Sequence, residues 1–182
     1  MLFKKNIMII TTIMSIINLY LLNKGCGKSF TMQGPSTTND EMKGVIPNSF
    51  SHIFDFVKST KEIEFLIRCQ YLELYNEEIK DLLTTVKNSP KLDLREDPQK
   101  GVYVNGITDV VVESAEDLNK MLDRGLSART TAATLMNAES SRSHSIFTII
   151  VEMSTKDQTT GKDMLRVGKL NLVDLAGRII ST

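Results

Sequence analysis

The segment GCGKS in the first third of the chain constrains the fold most, because a phosphate-binding loop needs a strand before it and a helix after it. Gly25 and Gly27 let successive backbone N–H groups point inward. Lys28 supplies charge for a phosphate, and Ser29 supplies a hydroxyl for a metal ion. Leu22 stands where the opening glycine of such a loop belongs. Taken alone, the segment leaves open a working nucleotide site, a damaged one and a chance match.

A long uncharged run precedes this loop. Residues 6–23 carry no charge, and 12 of the 16 residues at positions 7–22 are apolar. A continuous apolar run is typical of a buried parallel strand, and a short membrane-spanning helix is the alternative. The polar residues within the run and the lack of a small-residue cleavage site favour the strand. A third interpretation is that residues 1–24 are a leader foreign to the domain behind them, for instance through a misjudged exon boundary.

The composition predicts one globular domain. The 182 residues suffice for a single core, with 41% hydrophobic and 24% charged residues. The 22 basic and 22 acidic residues cancel, so the overall charge predicts neither nucleic acid nor a membrane surface as a partner. Cys26 and Cys69 lie far apart and form no metal-ligand pattern, which favours a reducing intracellular setting.

The middle of the chain predicts a helix, a long strand and a second, short helix. GVIPNSFSHIFDFVKST places apolar residues at helical spacing, and EIEFLIRCQYLELYN has the alternation of a strand. NEEIKDLL is interpreted as a short helix with Asn76 as its N-cap. Residues 84–98 are mostly polar and predict a loop, with a short strand at 92–94. The apolar residues at helical spacing are Ile46, Phe50, Ile53, Phe54 and Val57.

The second half predicts further strands around one helix. GVYVNG and TDVVVES are expected to form short strands. Ser114 with Asp117 resembles a capping box, and the amphipathic helix that it opens is predicted to end near Gly125. SIFTIIVEMS and LRVGKLNLVDLAG predict two more strands. This alternation favours an α/β fold with a mixed sheet and helices outside it.

Two segments add phosphate chemistry to that of the loop. In VDLAG, Asp174 ends a strand and a glycine follows, an arrangement that presents a carboxylate to Mg²⁺ and an N–H group to a terminal phosphate. NAESSRSH, at residues 137–144, sets hydroxyls and a guanidinium beside another strand. Each is weak alone, as a turn or a polar surface loop. Three such pieces in a consistent order argue against coincidence.

Four segments together resemble the motor domain of a kinesin: GCGKSFTM, YLELYNEEIKDLL, TLMNAESSRSHSIFTI and LNLVDLAG. IPNSFSHIF and GVYVNG are most similar to the heterotrimeric, ciliary transport branch. The resemblance covers residues 25–177, the middle of such a motor. It implies an α/β, P-loop NTPase-like mixed sheet flanked by helices in an incomplete kinesin motor core. Residues 25–182 are then a partial motor domain behind a divergent apolar leader at 1–24.

The resemblance implies ATP or ADP and Mg²⁺ as cofactors and gives roles to individual residues. Ser141, Arg142 and Gly177 would serve catalysis by approaching the attacking water, closing the site and sensing the γ-phosphate. Ser29, Ser141 and Asp174 would bind Mg²⁺. The nucleotide-binding set would be Gly25, Cys26, Gly27, Lys28, Ser29, Phe30, Asn137 and Ser140.

The chain departs from the family pattern just after the last of these residues. Where the family has Ser-Glu, the chain has Arg178 and Ile179. The missing glutamate would pair with Arg142 and organise the hydrolytic water. We therefore expect ATP hydrolysis, the family's activity, to be impaired. The segments that the family uses after the second switch would lie beyond Thr182, so we also expect motor activity to be impaired.

The resemblance implies microtubules as the partner and the cytoplasmic cytoskeleton, with the cilium as a narrower site. The family's tubulin-contacting loop corresponds to REDPQKGVYVNG, so Arg95 and Lys100 are candidate contacts, with ordinary solvated charges as the alternative. Other kinesin subunits are further candidate partners. The expected function is that of a microtubule-based motor fragment. The alternatives are an inactive nucleotide- or tubulin-binding fragment, or a protein anchored in a membrane by residues 6–23.

Overall fold

We analysed a computed structural model of the chain. The structure describes residues 27–35, 43–86, 91–98, 101–135, 143–156, 161 and 163–176. The helices are α1 (Lys28–Gln33), α2 (Val45–Ser59) and α3 (Ala115–Leu135), and the side chains of α3 are described through Arg129. The strands are β1 (Glu64–Tyr75), β2 (Glu78–Asp81), β3 (Asp93–Asp97), β4 (Gly101–Asn105), β5 (Val110–Val112), β6 (Ser143–Lys156) and β7 (Asp163–Asp174).

The main sheet has β1 and β6 at its centre. Its order is β2-β1-β6-β7, and β5 also pairs with β1. β1 pairs with β6 along its whole length, and β2 and β5 share its other edge. Every pairing among these strands is antiparallel. β3 and β4 form a separate two-stranded sheet. β4 is the short strand predicted at GVYVNG, and β3 is longer than the strand predicted at 92–94 within a polar loop. The predicted α/β class is confirmed.

The core lies between one face of this sheet and helices α2 and α3. Alternate residues of β1 and β6 point to this face, as their strand periodicity predicts, and Tyr71 is directly opposite Phe147. The Phe147 ring centroid is 5.1 Å from that of Tyr71 and 5.2 Å from that of Phe50 on α2. Burial of these large rings against each other stabilises the packing of α2 on the sheet.

The predicted short helix at NEEIKDLL is wrong. β1 turns at Asn76 and Glu77, which have positive φ values of 48° and 64°, and β2 then pairs back onto β1. Two consecutive left-handed residues are typical of a tight hairpin turn, and asparagine tolerates that conformation better than most residues do. The free edge of β1 takes up the backbone hydrogen bonds of β2, so pairing with a strand overrides the local helical pattern.

Helix α3 begins as predicted but does not end near Gly125. The Ser114 hydroxyl accepts a hydrogen bond from the Asp117 N–H at 3.1 Å, which caps the first turn. The helix continues through Gly125 to Leu135. A Cβ at position 125 would lie 2.0 Å from the nearest carbon of the Tyr71 ring. Glycine is therefore required here for the close approach of α3 to β1 and does not end the helix.

The apolar run at residues 6–23 lies outside the described residues, so its interpretations as a strand, a membrane helix or a foreign leader stay predictions. Within the described ranges, no helix is long and apolar enough to cross a membrane.

Candidate functional site

The site begins where the described part of the phosphate loop enters α1. Gly27 has φ of 80° and lies immediately before the helix, and its carbonyl accepts a hydrogen bond from the Thr31 N–H at 2.9 Å. A Cβ at Gly27 would meet no atom within 4 Å, so glycine is favoured here by its left-handed backbone rather than by lack of space. Lys28 is buried, whereas Phe30 is exposed. This order of glycine, lysine and helix is what a phosphate-binding loop requires.

Ser29 and Asp174 lie together at this helix although they are far apart in the sequence. The Ser29 hydroxyl donates a hydrogen bond of 2.9 Å to Oδ2 of Asp174. Ser29 is the second residue of α1, and Asp174 is the last residue of β7. The fold therefore brings the phosphate-loop motif and the VDLAG motif to one point. Both residues belong, with Ser141, to the set that the resemblance implies for Mg²⁺.

The second carboxylate oxygen of Asp174, Oδ1, is buried. The Asp174 side chain is 3% exposed. Oδ1 has no hydrogen-bond partner among the residues that the structure describes. A buried carboxylate oxygen without a partner is costly unless a cation or another donor satisfies it. The position is therefore suited to a bound cation or to a water molecule of its shell.

The donor set fits Mg²⁺ in kind. A serine hydroxyl and a carboxylate are oxygen ligands, and Mg²⁺ commonly takes only one or two protein ligands, with the rest from water and phosphate oxygens. In the described part of the chain, no group of three or more His, Cys, Asp or Glu residues could hold a metal ion. Ser29 and Asp174 are thus suited to a metal ion that arrives with a nucleotide rather than to a closed all-protein cage.

Arg129 lies beside Asp174 and was not predicted from the sequence. Its Nη1 is 3.6 Å from Oδ2 of Asp174, and its Nε donates to Oε1 of Glu73 at 3.1 Å. Its Nη2 donates to Oγ and to the carbonyl oxygen of Ser143, at 2.8 Å and 3.3 Å. Nη1 also donates to Oγ of Ser145 at 3.4 Å. One guanidinium from α3 therefore links the ends of β1, β6 and β7.

Glu73, Ser145 and Asp174 form one row across these three strands. Glu73 is opposite Ser145 in the pairing of β1 with β6, and Ser145 is opposite Asp174 in the pairing of β6 with β7. The row lies next to the one that contains Tyr71 and Phe147, on the same face of the sheet. Burial raises the pKa of Tyr71, while its hydrogen bond with Ser145 and the nearby Arg129 oppose that rise. The site is therefore a polar extension of the core.

The sequence periodicity contains a signal for Arg129 and Glu73, which were not predicted as site residues. Arg129 follows Leu118, Leu122 and Gly125 at spacings of three and four residues, which places it on the buried face of α3. Glu73 continues the alternation of Cys69 and Tyr71 on the core face of β1. A single charge on each of two buried faces indicates a buried ion pair.

The two later motifs are also in contact. The N–H of Ala176, two residues after β7 ends at Asp174, donates a hydrogen bond of 3.0 Å to Nδ1 of His144. His144 is the last residue of the NAESSRSH motif. This contact joins the start of β6 to the segment that follows β7.

Part of the predicted site can be placed and part cannot. Gly27, Lys28, Ser29, Phe30 and Asp174 are described, as above. Arg95 lies in β3 opposite Tyr103 and is exposed, on the separate two-stranded sheet. The predicted residues that lie outside the described ranges are Gly25, Cys26, Lys100, Asn137, Ser140, Ser141, Arg142 and Gly177, and the departures Arg178 and Ile179 lie there too.

Comparison with known proteins gives one consistent result. The family model of the kinesin motor domain matches residues 8–179. The match thus begins within the apolar run, whereas the motif resemblance begins at Gly25. The kinesin-like protein KIF3C of Mus musculus is 44% identical over 153 residues, which cover 84% of this chain and 19% of that protein. The same protein of Rattus norvegicus gives the same figures.

A solved structure agrees with these relatives. It is described as that of a fast kinesin, and it matches with a TM-score of 0.76 and 42% identity over 85% of this chain. The match covers 42% of the solved chain. The present chain thus spans about a fifth of the length of the curated relatives (19%) and less than half of the solved one.

Proposed function

The chain belongs to the kinesin motor domain family, and from this premise we propose that it binds ADP or ATP with Mg²⁺ at the start of α1 as part of a microtubule motor. The observation that supports this most is the hydrogen bond between Ser29 and Asp174, at 2.9 Å. It joins the hydroxyl and the carboxylate that the phosphate-loop and VDLAG motifs contribute to a metal shell.

Each of the described site residues has a separate role in binding the nucleotide and the metal ion. Gly27 turns the backbone into α1, so that N–H groups of the first turn face the phosphates. Lys28 contributes an ammonium group to the β- and γ-phosphates. Ser29 and Asp174 contribute oxygens to the metal shell, where bound Mg²⁺ would neutralise charge on the phosphates. Asp174 is positioned as the last residue of β7, and Nη1 of Arg129 lies 3.6 Å from its Oδ2.

The remaining roles stay predictions. Asn137 and Ser140 would contact the γ-phosphate side, Ser141 and Arg142 would approach the metal and the attacking water, and the Gly177 N–H would sense the γ-phosphate. Ile179 in place of the family's glutamate supports slow hydrolysis. We therefore propose a nucleotide-binding protein of the kinesin ATPase family whose turnover is impaired.

Titration with a fluorescent ADP analogue tests this function. The unmodified chain should bind the analogue more tightly in Mg²⁺ than in EDTA. Ser29→Ala and Asp174→Asn should each weaken binding in Mg²⁺ by about tenfold or more, as loss of a metal-shell group does elsewhere, and leave binding in EDTA little changed. Lys28→Ala should weaken binding in both conditions.

The matched control is Lys58→Ala, which removes an exposed lysine in the last turn of α2. It should bind as the unmodified chain does. If the unmodified chain shows no Mg²⁺-dependent binding, or if Lys28→Ala binds as well as Lys58→Ala, the proposed site is wrong.

The partner that we propose is the microtubule, with the β3–β4 hairpin as one contact. Leu94 and Val102 on this hairpin are 65% and 56% exposed. Arg95 is also exposed, and strand alternation puts it with Tyr103 on the other face of the hairpin. Exposed apolar side chains suit a protein surface, and an exposed cation suits an acidic one. Cosedimentation with microtubules should decrease for Arg95→Glu and not for Lys120→Glu on α3. Equal loss in both variants would argue for nonspecific charge attraction.

Similarity to the ciliary transport branch supports association with other kinesin subunits and a place in the cilium. Tagged protein that colocalises with cytoplasmic microtubules but is absent from cilia would contradict the ciliary assignment.

A further inference from the structure

Glu73 and Arg129 form a buried ion pair next to the proposed metal site. The side chains are 8% and 16% exposed, and Nε of Arg129 is 3.1 Å from Oε1 of Glu73. Nη1 of the same guanidinium is 3.6 Å from Oδ2 of Asp174, which is longer than a hydrogen bond. Arg129 thus lies between two carboxylates and bonds only one of them.

The other contacts of Arg129 explain why it need not bond Asp174. Its Nη2 donates to Ser143 at 2.8 Å, and its Nη1 donates to Ser145 at 3.4 Å. Together with Glu73, these acceptors occupy all three nitrogens of the guanidinium. The negative charge that a buried guanidinium requires comes from Glu73.

Without the charge of Glu73, this balance would change. Asp174 would be the nearest remaining carboxylate, and in a poorly solvated site the attraction between it and Arg129 would strengthen. A closer pair would occupy the oxygens that the metal shell needs. The site would also lose one negative charge, which disfavours a divalent cation.

We propose that Glu73 is a positioning residue, which engages Arg129 and so keeps Asp174 available to the Mg²⁺ of a bound nucleotide. This inference rests on the function proposed above. Glu73 itself touches neither the metal nor the nucleotide in this mechanism. It acts by engaging Arg129 and by adding its negative charge to the site.

The test is Glu73→Gln, which keeps the size and an acceptor oxygen and removes the charge. The measurement is the Mg²⁺ concentration that gives half-maximal binding of the fluorescent ADP analogue, with binding in EDTA measured separately. We expect the half-saturating Mg²⁺ concentration to rise about tenfold, the scale of effects for groups behind a metal ligand. Binding in EDTA should change by less than about twofold, because Glu73 does not touch the phosphates in this mechanism.

The double variant Glu73→Gln with Arg129→Gln separates positioning from simple structural damage. It removes both charges, so no cation competes for Asp174, and a neutral pair is tolerated better than a lone buried charge. Its half-saturating Mg²⁺ concentration should return toward that of the unmodified chain. Arg129→Gln alone should lower that concentration, which keeps the proposal testable if Glu73→Gln does not fold.

The matched control is Glu152→Gln, which removes a carboxylate that pairs with an arginine, Arg68, on the opposite face of the same sheet. It should leave the Mg²⁺ dependence unchanged. If the unmodified chain binds the analogue in Mg²⁺ and Glu73→Gln has the same Mg²⁺ dependence, the role of Glu73 is wrong and the proposed function stands. A double variant weaker than Glu73→Gln would also overturn it. If the unmodified chain shows no Mg²⁺-dependent binding, both proposals fail.

Discussion

Replacement of Gly125 by alanine tests the packing of α3 on the sheet. The new Cβ would lie 2.0 Å and 2.4 Å from two carbons of the Tyr71 ring, so something must move. The ring cannot move freely, because it is buried, packs against Phe147 at a centroid distance of 5.1 Å and is hydrogen-bonded to Ser145. Either Tyr71 shifts away from Phe147, or α3 separates from β1.

The magnitude follows from two opposing effects. Alanine in a helix interior is more favourable than glycine by about 1 kcal/mol. Overpacking of a well-packed core costs about 1–3 kcal/mol, and a contact this short against a ring belongs at the upper end. The free energy of unfolding should therefore fall by about 2 kcal/mol, which lowers the melting temperature by about 4–8 °C for a chain of this size.

The assay is thermal and urea unfolding, with Ser127→Ala on the exposed side of α3 as the matched control. Ser127→Ala should be within about 0.5 kcal/mol of the unmodified chain. In a double-mutant cycle, Gly125→Ala should cost less in a Tyr71→Leu background, because the ring that it meets is gone. A melting temperature for Gly125→Ala equal to or above that of the unmodified chain would refute the close approach of α3 to β1.

Three further predictions concern the thiol, the helix cap and the apolar run. Burial, with a smaller contribution from Asp109, raises the pKa of Cys69 to about 12. In a Cys26→Ser background the folded chain should therefore react slowly with thiol reagents at pH 8. Because the thiol ionises more readily in the unfolded chain, the free energy of unfolding should fall as the pH rises above 9, the ordinary value, toward 12. Ser114→Ala removes the cap of α3 and should cost about 1 kcal/mol in urea unfolding; no loss would mean that the cap is dispensable. Expressed protein should be released from membranes by alkaline extraction, and its retention there would support a membrane helix at residues 6–23.

The strand predictions succeeded where one face of a segment is buried. In β1 and β6 the apolar residues alternate, and the structure buries Cys69, Tyr71, Phe147 and Ile149 on one face. The helix α2 succeeded for the same reason, since its periodic apolar residues all reach the core. A periodic pattern determines which face is buried, and burial is the largest favourable contribution to folding.

The failed predictions depended on contacts with residues outside the predicted segments. Glycine after an amphipathic helix usually marks its end, but Gly125 is present because the ring of Tyr71 approaches the helix there. NEEIKDLL fits a short helix locally, but it follows a long strand with a free edge, and pairing Leu74 with Ile79 satisfies the backbone. Neither partner is visible from within the segment itself.

The candidate site also depends on contacts outside each segment, because the register of strand pairing determines which side chains meet there. Glu73, Ser145 and Asp174 reach the core face only because β1, β6 and β7 pair in one register. A slip of one residue in β7 would move Asp174 to the other face, away from Ser29 and Arg129. The apolar rows through Phe147 and Ile149 oppose Leu172 and Leu170, and they would lose their burial in the same slip. The hydrophobic core therefore holds the carboxylate at the start of α1, and substitutions in these rows should affect Mg²⁺-dependent nucleotide binding without touching the site.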